Sequence, residues 1–149
     1  AVRSEGTLSA GRDEVNPQAG IDCAKDIYDQ AGITNPYKDI DCAEIYVPFS
    51  WYEPMWLENL GFCELGEGWK VTDRDATAID GEMPFNMSGG VLSSNPIGAS
   101  GMIRFGEAAL QVMGQAQDHQ VENAKVAMGH AYGGAAQFFA MWIVSSSLD

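Results

Sequence analysis

The stretch from residue 87 to 101, MSGGVLSSNPIGASG, is rich in glycine and serine and has no acidic, basic or histidine side chain. It runs directly into MIRFGEAALQVMG (102–114), where helical spacing of apolar residues predicts a helix. Glycines let a backbone approach a ligand closely, and free N–H groups at a helix N-terminus bind oxyanions. The stretch matches neither the GxxxxGKS phosphate loop nor the GxGxxG dinucleotide motif. A cradle of backbone amides and a tight turn that needs positive φ are both open interpretations.

Composition indicates one globular domain and excludes several partners. The 149 residues are 46% apolar and 19% charged, which are typical values for folded chains. The 21 acidic side chains against 8 basic ones leave a formal charge of −13, which would repel a nucleic-acid backbone. No apolar run approaches the roughly 20 residues of a membrane span. We therefore expect neither nucleic acid nor a membrane as a partner.

The cysteines and histidines favour a reduced protein without a metal site. Cys23, Cys42 and Cys63 lie in apolar patterns without CxxC spacing, which is typical of reduced thiols in the core of a cytoplasmic protein. Because there are only 2 histidines and no ligand spacing, we predict no protein-built metal site. His119, in the polar segment AQDHQVENAK, is predicted to face solvent.

Hydrophobic spacing divides the chain into a polar entry segment, residues 1–16, and a domain, residues 17–149. A helix from Pro17 to Ala31, with Gly32 as its C-cap, is indicated by apolar residues three and four apart. Helices that alternate with strands before a closing hairpin predict an α/β domain with a mixed sheet. The other predicted elements are a strand in 41–49, a helix in 50–62 with a capping box of Ser50 and Glu53, an acidic surface excursion at 63–83, a helix ending near Gly114, and strands in 124–129 and 136–146 joined by a turn at HAYGG (130–134).

Two side chains at predicted strand ends are candidates for chemistry. His130 lies where an apolar strand gives way to a turn, so its imidazole is predicted to emerge at the rim of the sheet. It is either a hydrogen-bonded structural residue or a general acid/base with a pKa near neutrality. Tyr46 is a core aromatic unless it shares that rim with His130 and Asn95. Several further aromatic residues either belong to the core or line an acyl pocket: Trp51, Tyr52, Trp56 and Trp69.

Three segments together resemble a known family. DIDCAEIYVPFSWYEPMWLENLGFCELGEG (39–68), NMSGGVLSSNPIGASGMIRFGEAALQVMGQ (86–115) and AKVAMGHAYGGAAQFF (124–139) are similar, in order and spacing, to the C-terminal half of thiolases. The similarity is greatest to the sterol-carrier-protein-2 type and its bacterial and archaeal relatives. It covers roughly residues 17–146, and the NPIGASG block is highly specific.

The resemblance implies a fold and a reaction. In the family, a duplicated α/β unit forms a five-layered α-β-α-β-α body, of which this chain would be half, with a mixed five-stranded sheet. Members make or cleave the carbon–carbon bond of a 3-oxoacyl-CoA through a cysteine thioester, so coenzyme A is implied as a substrate and no permanently bound cofactor is implied. The nucleophilic cysteine belongs to the N-terminal half. A fused or separate N-terminal half and a homodimer-type assembly are therefore implied partners.

Carried over position by position, the resemblance implies a site of Tyr46, Asn95 and His130. Tyr46 stands where the sterol-carrier type has the His of its HDCF motif and biosynthetic thiolases have the Asn of NEAF. Asn95 replaces the His of GHP or the Glu of GEP. His130 matches the histidine that takes the place of the acid/base cysteine of the CxG motif. Substrate-binding and coenzyme A-binding residues are implied in the glycine stretch and after His130: Gly89, Gly90, Ser94, Gly98, Ala99, Ser100, Tyr132 and Gly133.

Three functions remain open at this stage. The leading one is thiolase chemistry on an aromatic 3-oxoacyl-CoA of the benzoylsuccinyl type, in which His130 moves the proton and Asn95 polarises the thioester. Tyr46 also resembles the tyrosine of thiolase-like aldolases, which split a β-hydroxyacyl-CoA without a covalent intermediate. Several of these pair with a small OB-fold protein carrying a zinc ribbon, so such a partner is implied. The third function is that of a non-catalytic acyl-CoA-binding subunit.

Overall fold

A four-stranded mixed sheet organises the protein, and the computed structural model describes residues 1–147. In space the strands follow the order β1-β4-β3-β2; β2 is parallel to β3, and β4 is antiparallel to both of its neighbours. The predicted α/β class is confirmed, with four strands in place of five. A single bridge between Ala43 and Phe85 occupies the outer edge of β2, where a fifth strand would pair. The strands are β1 (Val2–Ser4), β2 (Cys42–Ile45), β3 (Val126–Gly133) and β4 (Phe138–Ser145).

Helices cover both faces of the sheet. They are α1 (Gln18–Ala31), α2 (Pro36–Asp39), α3 (Tyr52–Asn59), α4 (Gly68–Asp73), α5 (Gly90–Ser93) and α6 (Ser100–Val112). The predicted first helix is confirmed, and it ends at Gly32 with a φ of 71°, a left-handed conformation that glycine adopts without steric cost. α1 and α3 pack on one face and α6 packs on the other. The chain therefore forms three layers.

Strand alternation divides the core between the two faces. On the α1 face, Ile45, Met128 and Phe139 are buried against residues of the helices that include Cys23 and Trp56. On the α6 face the strands contribute smaller side chains to a second, smaller cluster: Cys42, Ala127 and Val144, packed against Ala108. The larger share of the buried apolar surface, and with it the larger share of the hydrophobic stabilisation, thus lies on the α1 face.

β3 continues through the predicted HAYGG turn. Its register pairs His130 with Met141 and Gly133 with Phe138, so the hairpin turn falls at residues 134–137. With the two-residue period of a strand, His130 shares the α1 face with Met128 and is fully buried. The prediction that His130 emerges at the rim of the sheet was wrong, because β3 stays paired with β4 as far as Gly133 and the turn begins only at Gly134.

Two local predictions also need correction. The supposed surface excursion at residues 63–83 contains α4 and buries Val71 and Met83 in the main core. The capping box at Ser50 does not form, since α3 begins at Tyr52. Instead, the Glu53 carboxylate accepts hydrogen bonds from the hydroxyls of two threonines in the same excursion, Thr72 and Thr77, and so ties the excursion to α3.

α6 approaches the sheet closely because the residues between them are small. A Cβ added at Gly101 would lie 3.0 Å from the Ala131 Cβ. Within the sheet, Gly129 makes room for Trp142 of the neighbouring strand β4, since a Cβ added at Gly129 would lie 1.8 Å from the Trp142 Nε1. The buried positions of α6 are spaced three or four apart and include polar residues, namely Ser100, Arg104, Ala108 and Gln111. The face of α6 that meets the sheet is therefore not its most apolar one.

The apolar residues of α6 that predicted the helix point largely away from the sheet. Met102 is 72% exposed and Phe105 is 42% exposed. Within the part of the chain that the structure describes, no helix is both long and apolar enough to cross a membrane. The chain thus presents a largely exposed apolar face of α6, on which Phe105 also contacts the Trp142 ring of β4 at a centroid distance of 5.8 Å.

We predict that Gly129→Ala destabilises the protein by roughly 1–3 kcal/mol, because the new methyl group would force the Trp142 indole out of place. Gly133→Ala is the matched control, since Gly133 lies on the same strand and has no atom within 4 Å of its added Cβ. Urea denaturation of both variants measures the difference. Equal stability of the two would contradict the close packing of Trp142 on β3.

Candidate functional site

An open cavity of about 540 Å³ lies at the carboxyl ends of the two parallel strands, β2 and β3. In open α/β sheets this is the edge at which ligands bind. Tyr46 follows the last residue of β2, and Tyr132 is close to the end of β3. The lining is mostly apolar and contains none of the charged residues of the chain: Tyr46, Pro48, Phe49, Ile97, Gly98, Gly101, Ala131, Tyr132, Gly133 and Gly134.

The structure brings Asn95 into contact with Tyr46, which lines this cavity, although Asn95 is exposed and does not line the cavity itself. Asn95 belongs to the segment between Gly89 and Ala99, here called the Asn95 loop. Its Oδ1 accepts hydrogen bonds from the Tyr46 hydroxyl at 3.2 Å, the Ile97 backbone N–H at 3.2 Å and the Ser100 hydroxyl at 2.7 Å.

These contacts fix the orientation of the Asn95 amide. A backbone N–H only donates, so the side-chain atom that faces Ile97 must be the oxygen. The amide nitrogen consequently points away from all three partners, and it donates to no protein group among residues 1–147. The exposed amide nitrogen is therefore free to donate hydrogen bonds to a ligand oxygen.

The loop that carries Asn95 is conformationally strained. Ile97 has a φ of 48°, a left-handed conformation that is rare for a β-branched residue. Its side chain is 77% exposed and lines the cavity, so burial of the side chain does not compensate for the strain. Strained residues persist where surrounding contacts determine the backbone, and they concentrate at functional sites.

The backbone of Tyr46 is held by two aromatic rings. The Tyr46 N–H faces His130 Nδ1 at 3.4 Å, and the Trp56 indole N–H donates to the Tyr46 carbonyl at 3.0 Å. The His130 and Trp56 rings lie 5.0 Å apart at their centroids. His130 and Trp56 therefore hold the backbone of Tyr46, which follows the last residue of β2 and whose side chain lines the cavity.

His130 does not line the cavity. Its side chain has no exposed surface, and Nε2 has no hydrogen-bond partner within the described chain. Burial lowers the pKa of His130 to about 3, so the imidazole is neutral at physiological pH. Since Nδ1 accepts from Tyr46, the proton sits on Nε2, whose surroundings include the rings of Trp56 and Phe139. Contact with a further domain or subunit would not expose the His130 side chain, because it is already fully buried.

The aromatic residues near the cavity form one connected group. The Tyr132 ring lies 5.1 Å from Tyr46 and 5.4 Å from Tyr52, and Tyr52 stacks on Trp51 at 3.9 Å. Burial, and to a lesser extent the neighbouring Tyr52 hydroxyl, raise the pKa of Tyr132. Phe49 is 62% exposed at the cavity edge. Aromatic surface therefore dominates one wall of the site.

The remaining predicted binding residues divide into three groups. Gly98, Tyr132 and Gly133 line the cavity. Gly90 and Ser100 are buried and do not line the cavity, and the others are exposed without lining it: Gly89, Ser94 and Ala99. Sequence reasoning missed two further lining residues, Ala131 and Gly101, which are in contact with each other. The two-residue period of β3 would have placed Ala131 opposite to His130.

The described part of the chain supplies neither an evident nucleophile nor a metal site. Burial raises the pKa of the Cys42 thiol to about 12 and that of Cys63 to about 11, so both stay protonated near neutrality. Cys23 is fully buried, and its pKa is also raised. No three His, Cys, Asp or Glu side chains among residues 1–147 are grouped so that they could bind a metal ion.

Comparisons of the sequence with family models and with known proteins agree on one family. Residues 2–146 match the family model described as "Thiolase C-terminal domain-like". The acetyl-CoA acetyltransferase of Methanothermobacter thermautotrophicus is 34% identical over 97% of this chain and 38% of its own length. The benzoylsuccinyl-CoA thiolase subunit BbsB of Thauera aromatica is 34% identical over 91% of this chain and 35% of its own length. Human sterol carrier protein 2 is 36% identical over 75% of this chain and 20% of its own length.

A solved structure has the same fold. The Ltp2-ChsH2(DUF35) aldolase superposes with a TM-score of 0.81 and 25% identity, over 98% of this chain and 38% of the aldolase chain. In each of these comparisons the present chain therefore spans less than two fifths of the similar protein.

We predict that stability falls as the pH is lowered from 6.5 towards 4.5, because the unfolded chain takes up a proton at His130 that the folded chain excludes. The expected loss is about 1.4 kcal/mol per pH unit below the ordinary histidine pKa of about 6.5. Urea denaturation at each pH measures it. His130→Asn, which keeps an acceptor for the Tyr46 N–H but cannot titrate, should flatten this dependence, whereas His119→Gln should not. An NMR titration that gives His130 a pKa near 6.5 would contradict the prediction.

Proposed function

Because the chain belongs to the thiolase C-terminal domain-like family, we propose that it is the C-terminal part of an enzyme that cleaves or forms the carbon–carbon bond of a 3-oxoacyl-CoA. The observation that carries the proposal is the orientation of the Asn95 amide, whose N–H groups are left free beside Tyr46, a residue that lines the apolar cavity. The reaction, the substrate and the partners of the whole protein are proposals, since the chain spans 38% or less of its relatives.

The free amide suits the charge that develops in this chemistry. When a thiolate attacks the 3-oxo carbon, the bond between C2 and C3 breaks and its electron pair passes towards the thioester oxygen. The resulting enolate is then protonated at C2. A donor fixed in advance at that oxygen stabilises the transition state more than the ground state, especially where water is scarce. Asn95 is assigned this role.

Tyr46 and His130 take supporting roles in the proposal. The Tyr46 hydroxyl reaches the cavity and hydrogen-bonds Asn95, so it is placed to contact the acyl group or to carry a proton. His130 is enclosed on the α1 face and contacts the Tyr46 backbone, so its part is to hold Tyr46 in place. This role replaces the proton transfer that the family resemblance implied for His130.

The substrate class follows from the cavity wall. Phe49, Tyr46 and Tyr132 present aromatic surface, which favours a planar, apolar acyl group. A relative with 34% identity is a benzoylsuccinyl-CoA thiolase subunit, which agrees with an aromatic 3-oxoacyl-CoA. Coenzyme A enters as part of the substrate, and the glycines of the Asn95 loop leave room for its pantetheine arm.

The nucleophile is assigned to an N-terminal half, fused or separate. The exposed apolar face of α6, with Met102 and Phe105, is a surface that such a half would cover to complete a five-layered body. A homodimer-type assembly, a cytoplasmic location and a small OB-fold subunit with a zinc ribbon belong to the same proposal. The structural similarity to the Ltp2-ChsH2(DUF35) aldolase supports the last of these partners.

Retro-aldol cleavage of a β-hydroxyacyl-CoA is the second candidate. It is favoured by the aldolase structure and by the nature of the cavity, where the side-chain hydroxyls belong to Tyr46 and Tyr132. In this reaction the β-hydroxyl loses its proton, the bond between C2 and C3 breaks, and a ketone or aldehyde leaves with the shorter acyl-CoA. Asn95 would stabilise the same thioester enolate.

We expect the intact protein, with its N-terminal half, to convert benzoylsuccinyl-CoA and coenzyme A into two thioesters. Mass spectrometry should detect an acyl adduct on a cysteine outside residues 1–147. Release of a ketone or aldehyde from a β-hydroxyacyl-CoA without any adduct would instead support the aldolase. Binding of acyl-CoA without turnover of either substrate would contradict both and leave a non-catalytic subunit.

We expect Asn95→Asp to lower kcat roughly 100- to 1000-fold, the usual effect of removing one oxyanion donor. Aspartate keeps the acceptor oxygen used by Tyr46, Ile97 and Ser100 but has no N–H group, so the melting temperature should change little. Ser94→Ala, next to Asn95 in the same exposed loop, is the control and should retain activity. A fully active Asn95→Asp variant would refute the assigned role.

A further inference from the structure

A buried ion pair lies directly beneath the Asn95 loop. Glu44 of β2 has no exposed surface and Arg104 of α6 is 2% exposed, with 3.0 Å between Glu44 Oε2 and an Arg104 terminal nitrogen. Neither residue lines the cavity. Two charges in the interior require a specific reason, because their desolvation offsets much of their attraction.

The Glu44 carboxylate also binds the start of the loop. The Ser88 backbone N–H donates to Oε1 at 3.0 Å and the Ser88 hydroxyl donates to Oε2 at 2.9 Å. The same hydroxyl accepts a hydrogen bond from the Gly90 N–H at 3.2 Å. Nearby, the Asn86 side-chain oxygen accepts from the Ile45 N–H at 2.8 Å. The chain that enters the loop is thus attached to two successive residues of β2.

One carboxylate therefore connects three parts of the site. Ser88 immediately precedes the Asn95 loop, and Arg104 lies in the first turns of the helix that follows it. Glu44 stands two residues before Tyr46 on the strand whose end forms the cavity. Through its contacts with Ser88 and Arg104, Glu44 therefore holds the two ends of the Asn95 loop relative to the strand that carries Tyr46.

The packing leaves little freedom around this point. A Cβ added at Gly90, whose φ is 59°, would lie 3.1 Å from the Asn86 Cβ and 3.4 Å from Arg104 Nη1. Burial raises the pKa of Glu44, while Arg104 and the Ser88 hydrogen bonds oppose that shift. Buried ion pairs of this kind can often be replaced by apolar residues without loss of stability. Their contribution here is to geometry more than to stability.

We propose that Glu44, Ser88 and Arg104 are positioning residues, which hold the Asn95 loop against the strand of Tyr46 so that the Asn95 amide meets the thioester oxygen. The kinetic consequence rests on the proposed function, whereas the conformational consequence does not. None of the three residues contacts the substrate. They act through the backbone on either side of Asn95.

Two variants of equal shape isolate the contact. Ser88→Thr keeps the hydroxyl that bonds Glu44, whereas Ser88→Val replaces it with a methyl group, so any effect of the added carbon is common to both. In the intact protein, we expect hydrogen–deuterium exchange in residues 89–99 to be about tenfold faster in Ser88→Val than in Ser88→Thr, the effect of losing one charge-assisted hydrogen bond. Equal exchange in the two variants would overturn the proposal.

Kinetics provide the second measurement. If Asn95 acts mainly in the transition state, Ser88→Val should lower kcat about tenfold relative to Ser88→Thr and leave KM within about twofold. Val112→Ala is the control, since Val112 lies on the same helix as Arg104 but packs in the smaller apolar cluster of the α6 face, and it should leave kcat unchanged. A common change in kcat and KM for all three variants would indicate a structural role only and overturn the proposal.

If Ser88→Val folds poorly, the double variant Glu44→Met/Arg104→Met tests the same proposal. It should fold, because both charges are removed together, yet show the same faster exchange in residues 89–99. Unchanged exchange in this variant would overturn the proposal. If the intact protein turns over no acyl-CoA, the proposed function fails, while the exchange comparison still decides whether Glu44 positions the loop.

Discussion

The close packing of α6 on the sheet is the constraint on which the rest of the structure depends. Gly101 on α6 faces Ala131 on β3 so closely that a Cβ added at Gly101 would lie 3.0 Å from the Ala131 Cβ, which leaves no space for a larger side chain. At this distance Arg104 reaches Glu44 on β2, and Ser100 at the start of the helix reaches Asn95. A larger residue at the interface would move α6 and, with it, the loop that precedes the helix.

In the proposed function, the candidate site acts through dipoles and not through formal charges. The chain carries a net charge of −13, yet the cavity is lined by aromatic, aliphatic and glycine residues. The ion pair of Glu44 and Arg104 is buried beneath the Asn95 loop, where its two charges compensate one another. Three hydrogen bonds hold the Asn95 amide, and a dipole fixed in this way stabilises developing negative charge because it does not reorganise during the reaction. Such a site suits an anionic transition state on an otherwise apolar substrate.

Much of the architecture could be predicted from the chain itself. The spacing of apolar residues located α1, with Gly32 at its end, and the NPIGASG block identified both the family and the loop before α6. The pairing of Tyr46 with Asn95 also followed from their positions in family motifs, and the structure brings them within a hydrogen bond. The helix and the loop are local features that a linear pattern contains, whereas the pairing of Tyr46 with Asn95, 49 residues apart, could be predicted only through the family resemblance.

The sequence by itself therefore determined the α/β class, the family and the segments that surround the cavity. Only the tertiary structure decided which way His130 faces, because the length of β3 depends on pairing with β4 and the two-residue period then sets the side of each residue. It also decided that Arg104 is buried, since a polar position on an amphipathic helix becomes interior only when a partner such as Glu44 is present across the interface. Both outcomes arise from contacts between residues far apart in the chain, which no local pattern records.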